Sequence, residues 1–388
     1  MSSDKILGLN KTFSYLIVYY WILLYIPMPS YIMLTFPITL FVLYLLFYYI
    51  KDFSKLSTFS FIILFLFSSM FLSLLRLDIS SLISITLFSL TIYFINIFRL
   101  RVNLEFLNKI FLFSILLSIP LFYSGLSNYG FLPGQGGFSH DEFLSGRVSL
   151  FPNVTSSIYF SFMIFYINLF YNKNLYIKLF FLLTSFYFIY FGISRTVLLG
   201  LVFILFFSWL FKLNPLRKNL LYQYILPIFL IVVPIIGIYF IQDIIIFLLS
   251  LDNAFISKYF FRGYTTVEGI LDDIARVSIW QEHIRLFLDH PWGLSTSEIE
   301  LYVNPNLQLS DAGGSESFLT RILIRYGFGA LFLYFFLFEL LTRATDKRNE
   351  YLYIFVYMFI FIGVTYGSFF VAYNMLFLVF MSSINLNR

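Results

Sequence analysis

The stretch Thr12 to Ile50, TFSYLIVYYWILLYIPMPSYIMLTFPITLFVLYLLFYYI, runs for 39 residues without an Asp, Glu, Lys, Arg or His. Crossing a hydrocarbon core of ~30 Å takes about 20 apolar residues, so this stretch is long enough to cross twice. A second charge-free run, Tyr351 to Asn387, closes the sequence. Between them the same character persists: of 388 residues 60% are hydrophobic, 23% aromatic and only 12% charged. Soluble domains carry charge on about a quarter of their residues, and a water-soluble fold has no interior large enough for 54 Phe and 30 Tyr. The sequence reads as an all-α polytopic membrane protein. No small-residue cleavage site follows the first apolar run, so no removable signal peptide is expected.

With a 20-residue ruler the chain divides into twelve expected spans: 13–28, 31–50, 56–75, 79–98, 110–126, 154–172, 175–193, 196–211, 223–241, 324–342, 351–366 and 368–384. Placing the N-terminus in the cytoplasm puts sixteen of the 25 basic residues in inner loops and at the two termini. That asymmetry is the positive-inside pattern and predicts both termini inside. The other nine are Arg76, Arg147, Arg195, Lys258, Arg262, Arg276, Arg285, Arg321 and Arg325. Two outer segments are long, 127–153 and 242–323, and they hold all three histidines and 13 of the 20 acidic residues. Chemistry is therefore expected on the outer face of a single membrane domain, 1–388. No fixed-period repeat and no matched pair of broken spans points to an inverted-repeat carrier. Zero cysteines exclude disulfides and thiolate chemistry.

Four groups of outer residues stand out. Between Lys178 and Lys212 only 33 residues cross and return, about 25 Å per leg at the helical rise, with Ser194-Arg195-Thr196 at the tip. Arg195 reads either as an anchor reaching lipid phosphate or as a fixed cation offering a planar fork to an anionic ligand. Arg147 lies just before Pro152-Asn153, which suit a turn and a helix cap. Asp272 to Asp289 reads as an amphipathic helix, with Ile274, Val277, Trp280, Ile284 and Phe287 or Leu288 on its apolar side and Arg276, Trp280 and His283 on a neighbouring stripe. Trp280, with Phe260 and Phe261 nearby, suits a helix lying on lipid. Finally, Asp311-Ala-Gly-Gly-Ser-Glu316-Ser317 leads into Phe318, Arg321 and Arg325. Ser315 and Glu316 suit a helix entry there, or Glu316 serves as a general base near the arginines.

Taken in order, Arg147 with Pro152-Asn153, Ser194-Arg195-Thr196, Arg276-x3-Trp280 running to Pro291-x-Gly293, and Glu316-Ser317 placed nine residues before Gly327 resemble the O-antigen polymerase and ligase family of bacterial membranes. The resemblance covers about residues 125 to 345. It implies a membrane-embedded C-type glycosyltransferase fold in the bacterial inner membrane, inverting and metal-independent, with no cofactor. The implied donor is an oligosaccharide on undecaprenyl pyrophosphate. Membrane lipid, a flippase and a chain-length regulator are the implied surroundings, and no nucleic acid is expected. Ligases of the family carry His where this chain has Glu316, which favours the polymerase branch. The implied site has Glu316, Arg195 and Arg276 as catalytic residues, with Arg147, Arg321, Arg325, His283 and Trp280 binding substrate. Independently of the resemblance, a diphosphate leaving group needs protein cations where no carboxylate or histidine cluster has metal-ligand spacing. Ligase and flippase remain the alternatives; a flippase places its cations along a central cavity in the spans rather than at the outer rim.

Overall fold

The computed structural model describes residues 3–26, 31–50, 60–98, 100–133, 147–192, 194–213, 221–226, 228, 240–253, 256–257, 261, 265–267, 270, 276–295, 297–299, 318–346, 348–365, 375, 378–379 and 382. All regular structure among them is helical. By composition and length four helices suffice to cross a membrane: 104–123, 154–171, 175–192 and the 27-residue segment 320–346. They fall on the expected spans 110–126, 154–172, 175–193 and 324–342. Shorter apolar helices occupy 35–46, 61–75, 85–95, 197–213 and 350–360. The expected spans 223–241 and 368–384 lie largely outside the described residues, as does 134–146 of the first outer segment.

The chain forms two compact units, 1–201 with 369–388, and 202–368. The first contains α1 (Ser3–Leu23), α2 (Tyr31–Ile50), α3 (Ser60–Leu75), α4 (Ile79–Ile97), α5 (Leu104–Tyr123), α6 (Val154–Tyr171) and α7 (Leu175–Gly192). Asparagine starts the last three of these. Asn103 Oδ1 accepts from the amides of Glu105 and Phe106, Asn153 Oδ1 from Thr155 and Ser156, and Asn174 Oδ1 from Tyr176 and Ile177, all at 2.9–3.3 Å. Each bond satisfies donors that a helix cannot pair internally, and the cap expected at Asn153 is in place.

Apolar side chains cover the outside as well as the inside, and small polar residues share the helix contacts. Phe67, Phe71 and Leu74 on α3, Phe113 and Leu116 on α5, and Leu179, Phe180 and Leu183 on α7 face outward, while Ser69, Ser73, Ser89, Ser157 and Ser161 are buried. Aqueous surfaces rarely present so much contiguous apolar area, whereas helices packed in lipid place small and polar residues at their contacts. Asn108 on α5 and Asn168 on α6 exchange amide hydrogen bonds at 3.1 and 2.8 Å. Trp21 Nε1 on α1 donates to Ser114 Oγ on α5 at 2.8 Å. Such bonds are worth about 1 kcal/mol each between membrane helices. At the far end of the α6/α7 hairpin, Gly192 lies so close to Ile158 that a methyl there would stand 2.4 Å from Ile158 Cγ1.

From α7 the chain enters α8 (Arg195–Leu213), whose residues from 202 on belong to the second unit. That unit adds a π-turn (Leu221–Ile225), α9 (Ile241–Ser250), α10 (Arg276–Asp289), α11 (Phe318–Tyr326), a 3-10 turn (Gly327–Ala330), α12 (Leu331–Asp346) and α13 (Glu350–Thr365). Aromatic rings fill its interior. Phe207 stacks on Tyr357 at 5.3 Å, Phe211 meets Tyr353 edge-on at 5.6 Å, and Tyr353 Oη donates to the Tyr222 carbonyl at 2.8 Å. Glu339, the ionisable residue expected near a span's inner end, is paired with Arg343 one turn on at 2.5 Å.

Candidate functional site

In the first unit the segment after Arg147 is a buried strap. Val148, Ser149, Leu150 and Phe151 are all 1% exposed or less. Burying this non-helical backbone requires partners for its polar groups, and they are present. Val148 N donates to Phe191 O at 3.2 Å, Ser149 N to Gly130 O at 3.2 Å, and Leu150 N to Ser157 Oγ at 2.9 Å. Ser149 Oγ donates to Phe151 O at 2.6 Å. Tyr187 Oη donates to Phe131 O at 2.8 Å and ties the preceding loop to the same hairpin. Phe191 lies four residues before Arg195, and the Ser194 carbonyl accepts from the Leu198 amide in the first turn of α8 at 3.0 Å. The structure thus brings the half-buried Arg147 and the hairpin tip that carries Arg195 to one end of the first unit, although 48 residues separate them in sequence. The side chain of Arg195 is outside the described residues.

In the second unit α10 and α11 pack side by side, and the turn after α10 crosses the end of α11. Pro291-Trp292-Gly293-Leu294 runs over Ile324 to Phe328, with Leu294 N donating to Ile324 O at 2.7 Å and Phe328 N to Pro291 O at 2.9 Å. Gly293 and Gly327 both have positive φ, +86° and +52°. A Cβ on Gly293 would stand 2.5 Å from Arg325 O, and one on Gly327 2.1 Å from Pro291 O. The two glycines are needed twice over, for their backbone angles and for the closeness of the crossing. Leu286, Leu294 and Ile324 form the small core beneath it, with Phe287 and Ile299 against it. A capping box follows: Ser295 N and Oγ donate to Glu298 Oε2 at 2.7 and 2.6 Å.

The rotation of α10 leaves part of the expected apolar side open, Ile284 and Leu288, and buries the neighbouring stripe. Its buried face runs through His283, Leu286 and the half-buried Phe287, while Ile284 is 41% and Leu288 70% exposed. α10 has apolar residues on two adjacent stripes, and packing against α11 selects the one with the histidine. His283 is completely buried, and its Nδ1 shares a 2.8 Å hydrogen bond with Thr320 Oγ1. Its Nε2 is buried with no hydrogen-bond partner among the described residues. Burial, then the nearby Arg321 charge, push the imidazole pKa down to about 4, so at pH 7 the ring is neutral and offers a hydrogen bond, not a charge. Arg325, one turn beyond Arg321, is only 8% exposed. Together these residues put two guanidinium groups and a neutral imidazole at the entry of the 27-residue apolar segment 320–346. Arg276 opens α10; the side chains of Arg276 and Trp280, and Glu316 as a whole, lie outside the described residues.

A depressed histidine pKa has a defined consequence for stability. The unfolded chain takes up a proton near pH 6.5 that the folded chain refuses until about pH 4, so stability is lost as the pH falls through that window. Unfolding midpoints in detergent are expected to drop between pH 6.5 and 4 in the native protein, and to drop less in His283→Gln. Equal slopes for both would remove His283 as the cause.

Thr320 and the interlock of Gly293 with Gly327 were not legible as site features. Gly293 and Gly327 stand in the quoted motifs, but their mutual contact has no sequence signal. Comparison with known protein families, characterised proteins and solved structures gives no match.

Proposed function

We propose that this chain is a polytopic bacterial inner-membrane glycosyltransferase of about twelve spans, an O-antigen polymerase that joins oligosaccharide units carried on undecaprenyl pyrophosphate. The observation that carries the reading is the cationic entry to the apolar segment 320–346, where Arg325 is 8% exposed. Guanidinium groups at the head of an apolar segment suit a phosphate carried by a lipid, to which they offer a planar fork. The strap that holds Arg147 beside the Arg195 hairpin tip supplies a second cationic end.

In the proposed reaction the acceptor sugar's hydroxyl attacks the anomeric carbon of the donor glycan opposite the diphosphate. The bond from that carbon to the diphosphate oxygen breaks, and its electron pair leaves with the lipid diphosphate. Arg147, Arg195 and Arg276 neutralise the charge that develops there. Arg321 and Arg325 hold donor or acceptor, with Trp280 beside them on α10, while the completely buried His283 positions α10 against α11 through Thr320 instead of touching substrate. Glu316 takes the proton of the attacking hydroxyl late in the transfer, with Gly313 and Gly314 allowing a sugar to approach the backbone closely. Glu316→Gln keeps a hydrogen-bond acceptor but loses the base, so the expected product is a single repeat unit at normal protein level. Near-normal polymer length in that variant would leave Glu316 as a helix cap.

Topology is tested separately. Reporter fusions after Lys55, Lys109, Lys178, Lys218 and Arg348 are expected to report cytoplasm, and fusions at Gly136 and Asn304 the outer compartment. A cytoplasmic signal at Asn304 would put the proposed site on the wrong face. The function itself is tested by the glycan profile of cells lacking the protein. Loss of a polymerase leaves one repeat unit on the lipid A core. Loss of a ligase strands polymer on the undecaprenyl carrier, and loss of a flippase leaves neither outside.

A further inference from the structure

The exposed side of the C-terminal half of α10 and the turn that follows it carry an apolar row. Ile284 and Leu288 are one turn apart and 41% and 70% exposed, and Trp292, just past Pro291, is 67% exposed. Arg285 and Asp289, also exposed, lie about 100° further round. Viewed down the axis, residues 283–289 of α10 therefore show three faces: one against α11, one apolar and exposed, one charged and exposed. The open apolar row does not end at the turn. Trp292 meets Phe328 edge-on at 5.8 Å, and Phe328 itself is 48% exposed. From Phe328 the row continues along the apolar segment 320–346 through Leu331 and Phe335, 36% and 50% exposed.

We propose that α10 and the Trp292 turn are seated in the membrane interface, with Ile284, Leu288 and Trp292 inserted among lipid acyl chains and Arg285 and Asp289 at the headgroups. The occupant of the row is bilayer lipid because the row is continuous with the outward face of a membrane-crossing segment, and whatever solvates Leu331 and Phe335 reaches Trp292 without interruption. An indole placed between an apolar stripe and a charged one is the arrangement that interfacial tryptophans adopt, and a helix with adjacent apolar and charged faces is the form that lies in the interface plane. The sequence expectation of an interfacial helix with Ile284 and Leu288 on its apolar side is thereby given a seat at its C-terminal end. The glycine crossing gives the arrangement its rigidity, since it fixes the Trp292 turn to the head of the crossing segment. This inference rests on the membrane reading of segment 320–346 and on no part of the proposed chemistry.

The chain has no cysteine, so a single introduced cysteine takes a nitroxide label without background. The probe is the full-length protein in vesicles of phosphatidylethanolamine and phosphatidylglycerol, with labels at Ile284→Cys, Leu288→Cys, Trp292→Cys, Arg285→Cys and Asp289→Cys, and at Leu331→Cys and Phe335→Cys as references. Collision with oxygen, which concentrates in lipid, is compared with collision with a water-soluble nickel chelate. Labels at 284, 288 and 292 are expected to match 331 and 335, with oxygen favoured several-fold over nickel, while 285 and 289 favour nickel. Nickel access at 284, 288 and 292 with lipid-like references would overturn the interfacial seating alone. Protection from both reagents would overturn it in favour of a protein cover. Nickel access at 331 and 335 would overturn the membrane reading and the seating with it. Every labelled side chain is exposed, and quenching of Trp292 fluorescence by brominated lipid, in a variant with Trp21, Trp209 and Trp280 replaced by Phe, gives a second measurement of the same depth that leaves Trp292 in place.

Discussion

Gly327→Ala is expected to cost on the order of 4–5 kcal/mol, at the extreme of single substitutions, and to remove most of the folded protein from the membrane. The added methyl would stand 2.1 Å from Pro291 O, 2.5 Å from Trp292 C and 2.7 Å from Gly293 N. All three are backbone atoms, pinned by the Phe328 to Pro291 and Leu294 to Ile324 hydrogen bonds, so no rotamer change relieves the overlap. Either the crossing opens, exposing the small core of Leu286, Leu294 and Ile324, or α11 shifts away from α10 and breaks the His283–Thr320 bond. Gly125 is the internal control. It also has positive φ, +74°, but nothing lies within 4 Å of the position a Cβ would take. Gly125→Ala therefore carries only the left-handed backbone penalty, about 1–2 kcal/mol. The measurement is thermal unfolding and steady-state yield of both variants in detergent. A Gly327→Ala protein no less stable than Gly125→Ala would show that the crossing is not tight.

Under the proposed polymerase function, Arg195→Ala is expected to reduce polymer formation by about 10²–10³-fold, the loss that follows removal of one preorganised group facing a developing negative charge. Arg195 opens α8 at the point where the Arg147 strap is bonded to the hairpin end through Val148 and Phe191. Arg195→Lys keeps the charge but loses the planar fork, so it too is expected to fall well below the native protein. Equivalent changes at Arg147 and Arg276 follow the same order if the three share one diphosphate, and paired substitutions then cost less than the sum of the single ones. Polymer length and protein level are measured together in cells complemented with each variant. Normal polymer from well-expressed Arg195→Ala returns this residue to the role of a lipid anchor.

How far the sequence carried depended on whether the determining interactions were local. The helices at 154–171 and 175–192 stand within one residue of their expected bounds because a charge-free run stops at polar residues, Asn153 before and Asn172 between, and the cap needs only backbone amides two and three residues on. The arginines and the turn motifs were visible for the same reason. α10 shows where local information ends. Ile284 and Leu288 satisfy an amphipathic spacing as well as Leu286 and Phe287 do, and no rule within the helix chooses between them. The choice was made by α11, which supplies Thr320 to a buried imidazole and Ile324 to Leu286 and Leu294.

By itself, then, the sequence determined that this is a helical chain with segments suited to lipid, where some of those helices begin and end, as at 154–171 and 175–192 though not at Ser3–Leu23 or Leu104–Tyr123, and which cations lie outside the apolar runs, because each of these follows from composition and spacing over a few turns. Only the tertiary structure decided which face of α10 is buried, that His283 is neutral, that Asn108 meets Asn168 across 60 residues, and that Gly293 and Gly327 lock one another in place. Those are pairings between segments distant along the chain, and their geometry depends on backbone atoms whose positions no residue type encodes.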